Sequence, residues 1–289
     1  MRRTPLFAAA SALLFAAAPQ GQASPQRAGD TFVISLARDT AQSSAGSQSS
    51  THDQDSIVER VTRVRADGIE LEYDLPGDAD PDSRAAQWQY PVRVLRTGQG
   101  AMQLLNRAEL EARRDEWLRG ANLTRESCGH WIFTWNAFRI ECDPQSAIDS
   151  LQPFILDGTG LAEGAAYRDR AARAPGKLER IASGYRAGMD VDPETVRRER
   201  AESDVAAGEI MRKPLTLPAA LAARAKESVS GTLTVSLDVE PDGQLLRRTR
   251  VTRVEIRRAD GEVETDTATE TVERRPMETP PARPARDVV

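Results

Sequence analysis

At 289 residues, with 39 Lys plus Arg against 44 Asp plus Glu, the chain carries a formal charge of -5. That length suits one large domain or two small ones, and the acidic balance disfavours nucleic acid and anionic membrane, which need a concentrated positive patch. Two histidines and two cysteines leave little material for a zinc site or for a histidine-assisted nucleophile.

The N-terminus reads as an export signal. Arg2 and Arg3 precede an apolar run from Leu6 to Ala18, the size of a signal-peptide core and too short to span a bilayer. Gly21-Gln22-Ala23 places small residues at both positions a signal peptidase reads, so cleavage is expected after Ala23. Residues 1–23 are then a signal peptide, and the product is periplasmic or extracellular. Removing that segment, which holds two arginines and no acid, takes the formal charge from -5 to -7. No later stretch is apolar enough to be a transmembrane segment.

From residue 24 to 158 the pattern is an aromatic-rich β-strand region with two helices. Thr31–Ala37, Ile57–Ala66 and Ile69–Leu75 are rich in Val, Ile and Leu, and Asp67-Gly68 is a tight-turn signal. Ala41–Asp55 is small, polar and without periodicity, which predicts a long mobile loop. Tyr90–Arg96 and Ala101–Leu105 predict another strand pair. Asn106 and Glu109 then have the spacing of a capping box, with Gly120 as the left-handed stop of that helix. Asp143-Pro144 starts a second helix.

Residues 159–230 predict a charged helical region, with fresh starts at Asp192-Pro193 and Leu217-Pro218. Strand signals return over 231–273 as an antiparallel meander with turns at Pro241-Asp242-Gly243 and Asp260-Gly261. Residues 274–289 are proline-rich and predict a disordered tail. The expected class is α+β: antiparallel strands at both ends of the mature chain, with a helical middle section packed on them.

Chemistry-bearing residues are few. His52 falls in the predicted loop and His130 beside an aromatic strand, so neither has the company of a catalytic base. No Gly-x-Ser-x-Gly elbow, Walker loop or His-Glu-x-x-His helix occurs, and no cofactor is implied. Asp78, Asp80 and Asp82 space three acids as a calcium loop does, but Ser83 and Gln89 stand where its glycine and bidentate glutamate belong. A solvated acidic loop is the stronger reading.

Trp88, Tyr90, Trp117, Trp131, Phe133, Trp135 and Phe138 concentrate the aromatic residues in the first half of the chain. The expected role is core, while Trp88, Trp131, Phe133, Trp135 and Phe138 are also candidate ligand contacts. The only cysteines, Cys128 and Cys142, are expected to form a disulfide in an oxidising compartment. Two hairpin registers compete between them. A turn at Asn136-Ala137 sets Trp131 opposite Cys142 and gathers apolar side chains on one face, with a bend at Gly129. Direct pairing of Cys128 with Cys142 centres the loop on Trp135 and sets His130 opposite Ile140, a poorer facial match. The first register is therefore expected.

Antiparallel strands, intervening helices and export together resemble the curved open sheets of periplasmic lipoprotein carriers. The likeness is one of architecture and transfers no residue. It implies a non-enzymatic binding or carrier protein that holds an apolar ligand or another envelope protein against its sheet. The competing readings are a hydrolase of unrecognised type and a structural or assembly partner of an envelope complex.

Overall fold

The computed structural model describes residues 26–133 and 137–277. The segment expected to be a signal peptide and most of the proline-rich tail lie outside the described residues. The chain opens with β1 (Thr31–Ser44), β2 (Ser47–Val64), β3 (Gly68–Asp74), helix α1 (Pro81–Ala86), β4 (Val92–Thr97) and β5 (Met102–Leu104). Helix α2 (Arg107–Gly120), the hairpin of β6 (Trp131–Phe133) and β7 (Ala137–Arg139), and α3 (Ser146–Leu151) follow. Four short strands, β8 (Ala166–Tyr167), β9 (Gly176–Lys177), β10 (Glu179–Ile181) and β11 (Gly184–Asp190), lead to α4 (Pro193–Ile210) and α5 (Leu217–Arg224). The meander β12 (Ser228–Val239), β13 (Leu245–Arg257) and β14 (Val263–Pro276) completes the α+β fold.

Ten of these strands form a large antiparallel sheet in the order β10-β11-β12-β13-β14-β1-β2-β3-β4-β5. The join is β1 against β14, in register from Phe32↔Pro276 to Ser43↔Thr265. Strands from the two ends of the chain therefore share one hydrogen-bonded surface. Because side chains alternate across a strand, the registers divide the sheet into two faces. The inner face carries Ile34, Leu36, Ile57, Val61, Leu71, Tyr73, Val92, Val94 and Val272, packed against Leu110 of α2 and Ile148 and Leu151 of α3. A second apolar cluster on that face unites Ala187 and Met189 of β11 with Leu233, Val235 and Leu237 of β12. The outer face is rich in hydroxyls, with Thr265, Thr267, Thr269 and Thr271 along β14 alone.

Several expectations are corrected. Ala41–Asp55 is not a loop: β1 and β2 are a continuous hairpin, paired from Thr31↔Arg60 to Ser44↔Ser47, with Gly46 at φ 86 in its turn. The segment is polar because it runs beyond the apolar core, and its order comes from backbone ladders that β1 makes on both sides. Residues 166–190 are four strands rather than helix. Gly176 and Gly184 explain why strand composition was hidden there, since an added Cβ would stand 2.8 Å from Gly188 O and 2.1 Å from Leu237 O respectively. Close backbone approach, not β-branched bulk, builds that edge.

The start of α2 falls where expected, but the capping differs. The Asn106 side chain makes no cap hydrogen bond; it accepts from Arg93 N at 2.9 Å and donates to Pro91 O at 3.1 Å, tying β4 to the helix. Gly120 is the last helical residue, and the left-handed residue that follows is Asn122, φ 53. By contrast Asp192 caps α4 as its sequence implies, accepting from Glu194 N.

The β6–β7 hairpin takes the register with the poorer facial match, not the expected one: Trp131↔Arg139, Ile132↔Phe138 and Phe133↔Ala137. Gly129 N donates to Ile140 O, and Ile140 N donates to His130 O. Gly129, at φ 84, and His130 thus both oppose Ile140, a β-bulge of the kind that needs a left-handed residue. The bend at Gly129 is present, but it brings Cys128 beside Cys142, 5.6 Å apart at Cα, in a disulfide. The two registers differ by an odd number of residues, so one strand shows its opposite face. That separates the aromatic side chains instead of gathering them.

Candidate functional site

The aromatic candidates do not converge. Trp88 is 4% exposed and belongs to the first core cluster. Trp131 is half-buried, whereas Phe133 and Phe138 on the hairpin are 64% and 39% exposed; Trp135 lies outside the described residues. Asp80 caps α1 by accepting from Ser83 N, and Asp82 stands in the first turn of that helix. Among the described residues no group of three or more His, Cys, Asp or Glu is arranged to hold a metal ion.

Both histidines pair with carboxylates on the surface. His52 Nδ1 is 2.7 Å from Asp39 Oδ1, directly across the β1–β2 hairpin. His130 Nδ1 is 2.9 Å from Glu209 Oε1, which also accepts from Trp131 N and so holds the hairpin to the end of α4. These bonds keep the Glu209 carboxyl below its ordinary range, the histidine bond first. The ring of neither histidine is hydrogen-bonded to a serine, threonine or cysteine among the described residues.

A site emerges instead where the inner face turns polar. Beyond the two apolar clusters, β1, β13 and β14 present Gln42, Thr252, Val254, Glu264, Asp266 and Ala268 inward. Opposite them α4 presents Val196, Glu199, Arg200 and Ser203, the spacing of one helix face. Between floor and roof lies a cleft of about 570 Å³, closed at one side by Arg170, Ala171 and Val191. Ala268 is small and faces Thr252 across the ladder, so the floor is hollowed at that point. α5 packs beside α4, where the buried residues of both helices are small: Ala201 and Ala206 on α4 and Ala220 on α5.

The walls are a network of ion pairs. Arg200 spans Glu264 with both terminal nitrogens at 2.8 and 2.9 Å, and its Nε faces Glu227 Oε2 at 3.4 Å. Arg250 is bidentate to Asp169 at 2.8 and 3.1 Å, and Arg224 to Asp204 at 2.6 and 2.7 Å. Arg258 reaches both Glu262 and Glu264. Two floor atoms stand outside the network: Thr252 Oγ1 and Asp266 Oδ1 are buried and make no hydrogen bond.

The two floor acids titrate in opposite directions. The Arg200 hydrogen bonds hold the Glu264 carboxyl down to about 2, whereas burial and the neighbouring Glu264 charge push Asp266 up from its usual value. A depressed folded-state pKa contributes stability that is full above the unfolded value near 4.5 and is lost as pH falls toward 2. Asp266 opposes this, because its cost in the charged form is relieved on protonation. Glu264→Gln is therefore expected to flatten the loss of stability between pH 4.5 and 2, and Asp266→Asn to steepen it. Urea denaturation across that range measures both.

Sequence reasoning missed this cleft. The available signal was that β14 alternates threonines with Glu264, Asp266, Ala268 and Glu270, a strand polar on both faces and yet long.

Among known proteins, no family model and no curated protein matches the chain. A solved structure described as "lipid-protein interactions in lipovitellin" aligns with 90% of this chain and 26% of its own, at 9% identity and a TM-score of 0.39. The alignment spans about a quarter of that much longer chain, and at that TM-score the likeness carries no argument about function.

Proposed function

We propose that this chain is an exported, non-enzymatic binding or carrier protein, and that its ligand lies between α4 and the inner face of the sheet. The observation that carries the reading is the cleft floor with Thr252 Oγ1 and Asp266 Oδ1 buried and unpaired. Each buried polar group left unsatisfied costs a fold about 1–3 kcal/mol, and buried polar groups are normally hydrogen-bonded. A ligand that supplies the missing donors relieves the cost. The lining changes the kind of ligand expected: charged and hydroxyl groups beside a few valines favour a polar molecule over the apolar one that clustered aromatics had suggested.

The test is thermal unfolding of the mature chain against a panel of polar metabolites, fatty acids and detergents. A ligand bound only by the folded state raises the melting temperature with concentration. The reading expects such a rise for a polar class, and a flat response across the whole panel would contradict it.

A second reading, docking of another envelope protein, is favoured by exposed Phe133 and Phe138 on the hairpin that the disulfide ties down. In that case Phe133→Ser abolishes co-purification of the partner and leaves the ligand response unchanged.

A further inference from the structure

The cleft's lining carries five arginines and four carboxylates, and three further carboxylates pair with those arginines from behind it. Arg170, Arg200, Arg224, Arg250 and Arg258 stand among seven carboxylates: Asp169, Glu199, Asp204, Glu227, Glu262, Glu264 and Asp266. Four of the arginines are held in short pairs with Glu264, Asp204, Asp169 and Glu262. An anionic ligand would have to break those pairs. Two donors are left over: Arg200 Nε, which makes no hydrogen bond, and Arg170, which has no ion pair among the described residues. The acceptors left over are Asp266 Oδ1 and Thr252 Oγ1 on the floor, the other Asp266 oxygen lying 4.0 Å from Arg200, and the exposed Glu199 carboxylate on the roof.

We propose that the cleft binds a small organic cation, an alkylamine whose ammonium meets Asp266 and Thr252 while its methylenes lie along Val191, Val196 and Val254. The proposal rests on the reading of this cleft as the ligand site. An ammonium carries three donors and no acceptor, which suits a floor offering a carboxylate oxygen and a hydroxyl within a half-closed hollow. A charged donor to a carboxylate makes a hydrogen bond about twice as strong as a neutral one. The valines remove water from the chain of methylenes without asking for polar partners. The same chemistry comes from a free diamine or polyamine, or from a lysine side chain of another protein.

Isothermal titration of the mature chain with putrescine, cadaverine, spermidine and a short lysine peptide tests this, with succinate, phosphate and palmitate as controls. The expected result is binding of the amines, weakened at least tenfold by Asp266→Asn and severalfold by Thr252→Val. Both variants keep the fold, since one removes a charge that lies between Glu264 and Arg200, 4.0 Å from the latter, and the other a hydroxyl without a partner, so their melting temperatures stay close to that of the original chain. A lysine peptide that binds more tightly than any free amine assigns the site to a protein partner's side chain; the reverse order assigns it to a free amine. Amines that fail to bind, or that bind Asp266→Asn as well as the original chain, overturn the proposal. If succinate or palmitate binds instead and is lost when Ser203→Trp fills the cleft, the cation is wrong and the binding reading stands. If nothing on the panel binds, both fall.

Discussion

Replacing Glu59 by alanine is expected to lower the unfolding free energy by about 3–5 kcal/mol, the usual consequence of stranding one partner of a buried ion pair. Glu59 and Arg274 are 2% and 7% exposed. Arg274 donates twice to Glu59 Oε1, at 2.6 and 3.1 Å, and Tyr73 Oη donates to Glu59 Oε2 at 2.8 Å. The guanidinium also lies over the Phe32 ring, 3.3 Å from its centre. These residues sit on β2, β14, β3 and β1, so the cluster bolts the C-terminal meander to the N-terminal strands across the β1–β14 ladder. Alanine leaves a guanidinium and a phenol buried without an acceptor. The double variant Glu59→Ala/Arg274→Met is expected to recover much of the loss, because no charge is then stranded. Chemical denaturation of both variants measures this, and a loss below about 1 kcal/mol for the single change would place the pair among weak surface contacts.

Loss of the disulfide is the second large effect. A bridge closing a short loop withdraws about 3 kcal/mol of chain entropy from the unfolded state, and here Cys142 follows Cys128 at a sequence separation of 14. The double variant Cys128→Ser/Cys142→Ser is expected to lose stability of that order. Arg114, itself 7% exposed, donates to Cys142 O at 2.9 Å, so the bridge also fixes where α2 meets the hairpin. Hydrogen exchange should rise first in β6 and β7. Intact mass with an alkylating label, before and after reduction, reads the bond itself. Two labelled thiols in the unreduced protein would refute it.

The sequence made some elements plain because their signals were local. Asp192-Pro193 announced α4, and the turn at Asp260-Gly261 announced the β13–β14 hairpin. The disulfide followed from there being no other cysteine. What stayed hidden depends on partners distant in sequence. Residues 41–55 carry no strand signal of their own: 41–43 pair with β14, more than 200 positions away in the register Ala41↔Thr267, and 47–55 pair back on β1. In the β6–β7 hairpin, facial hydrophobicity favours one register and the geometry of the bridge another, and the bridge prevails because direct pairing becomes possible once Gly129 takes a positive φ. The cleft was invisible for the same reason as the polar hairpin: its residues come from β1, β13, β14 and α4, and no short stretch contains enough of them to form a motif.

The claim that binding occurs under α4 is tested most directly by native mass spectrometry of the chain, purified from its own source, beside a Ser203→Trp variant that fills the cleft. The account predicts added mass on the original chain and bare polypeptide mass on the variant, with melting temperatures alike in the ligand-free state. Equal retention of the same mass by both proteins would contradict it.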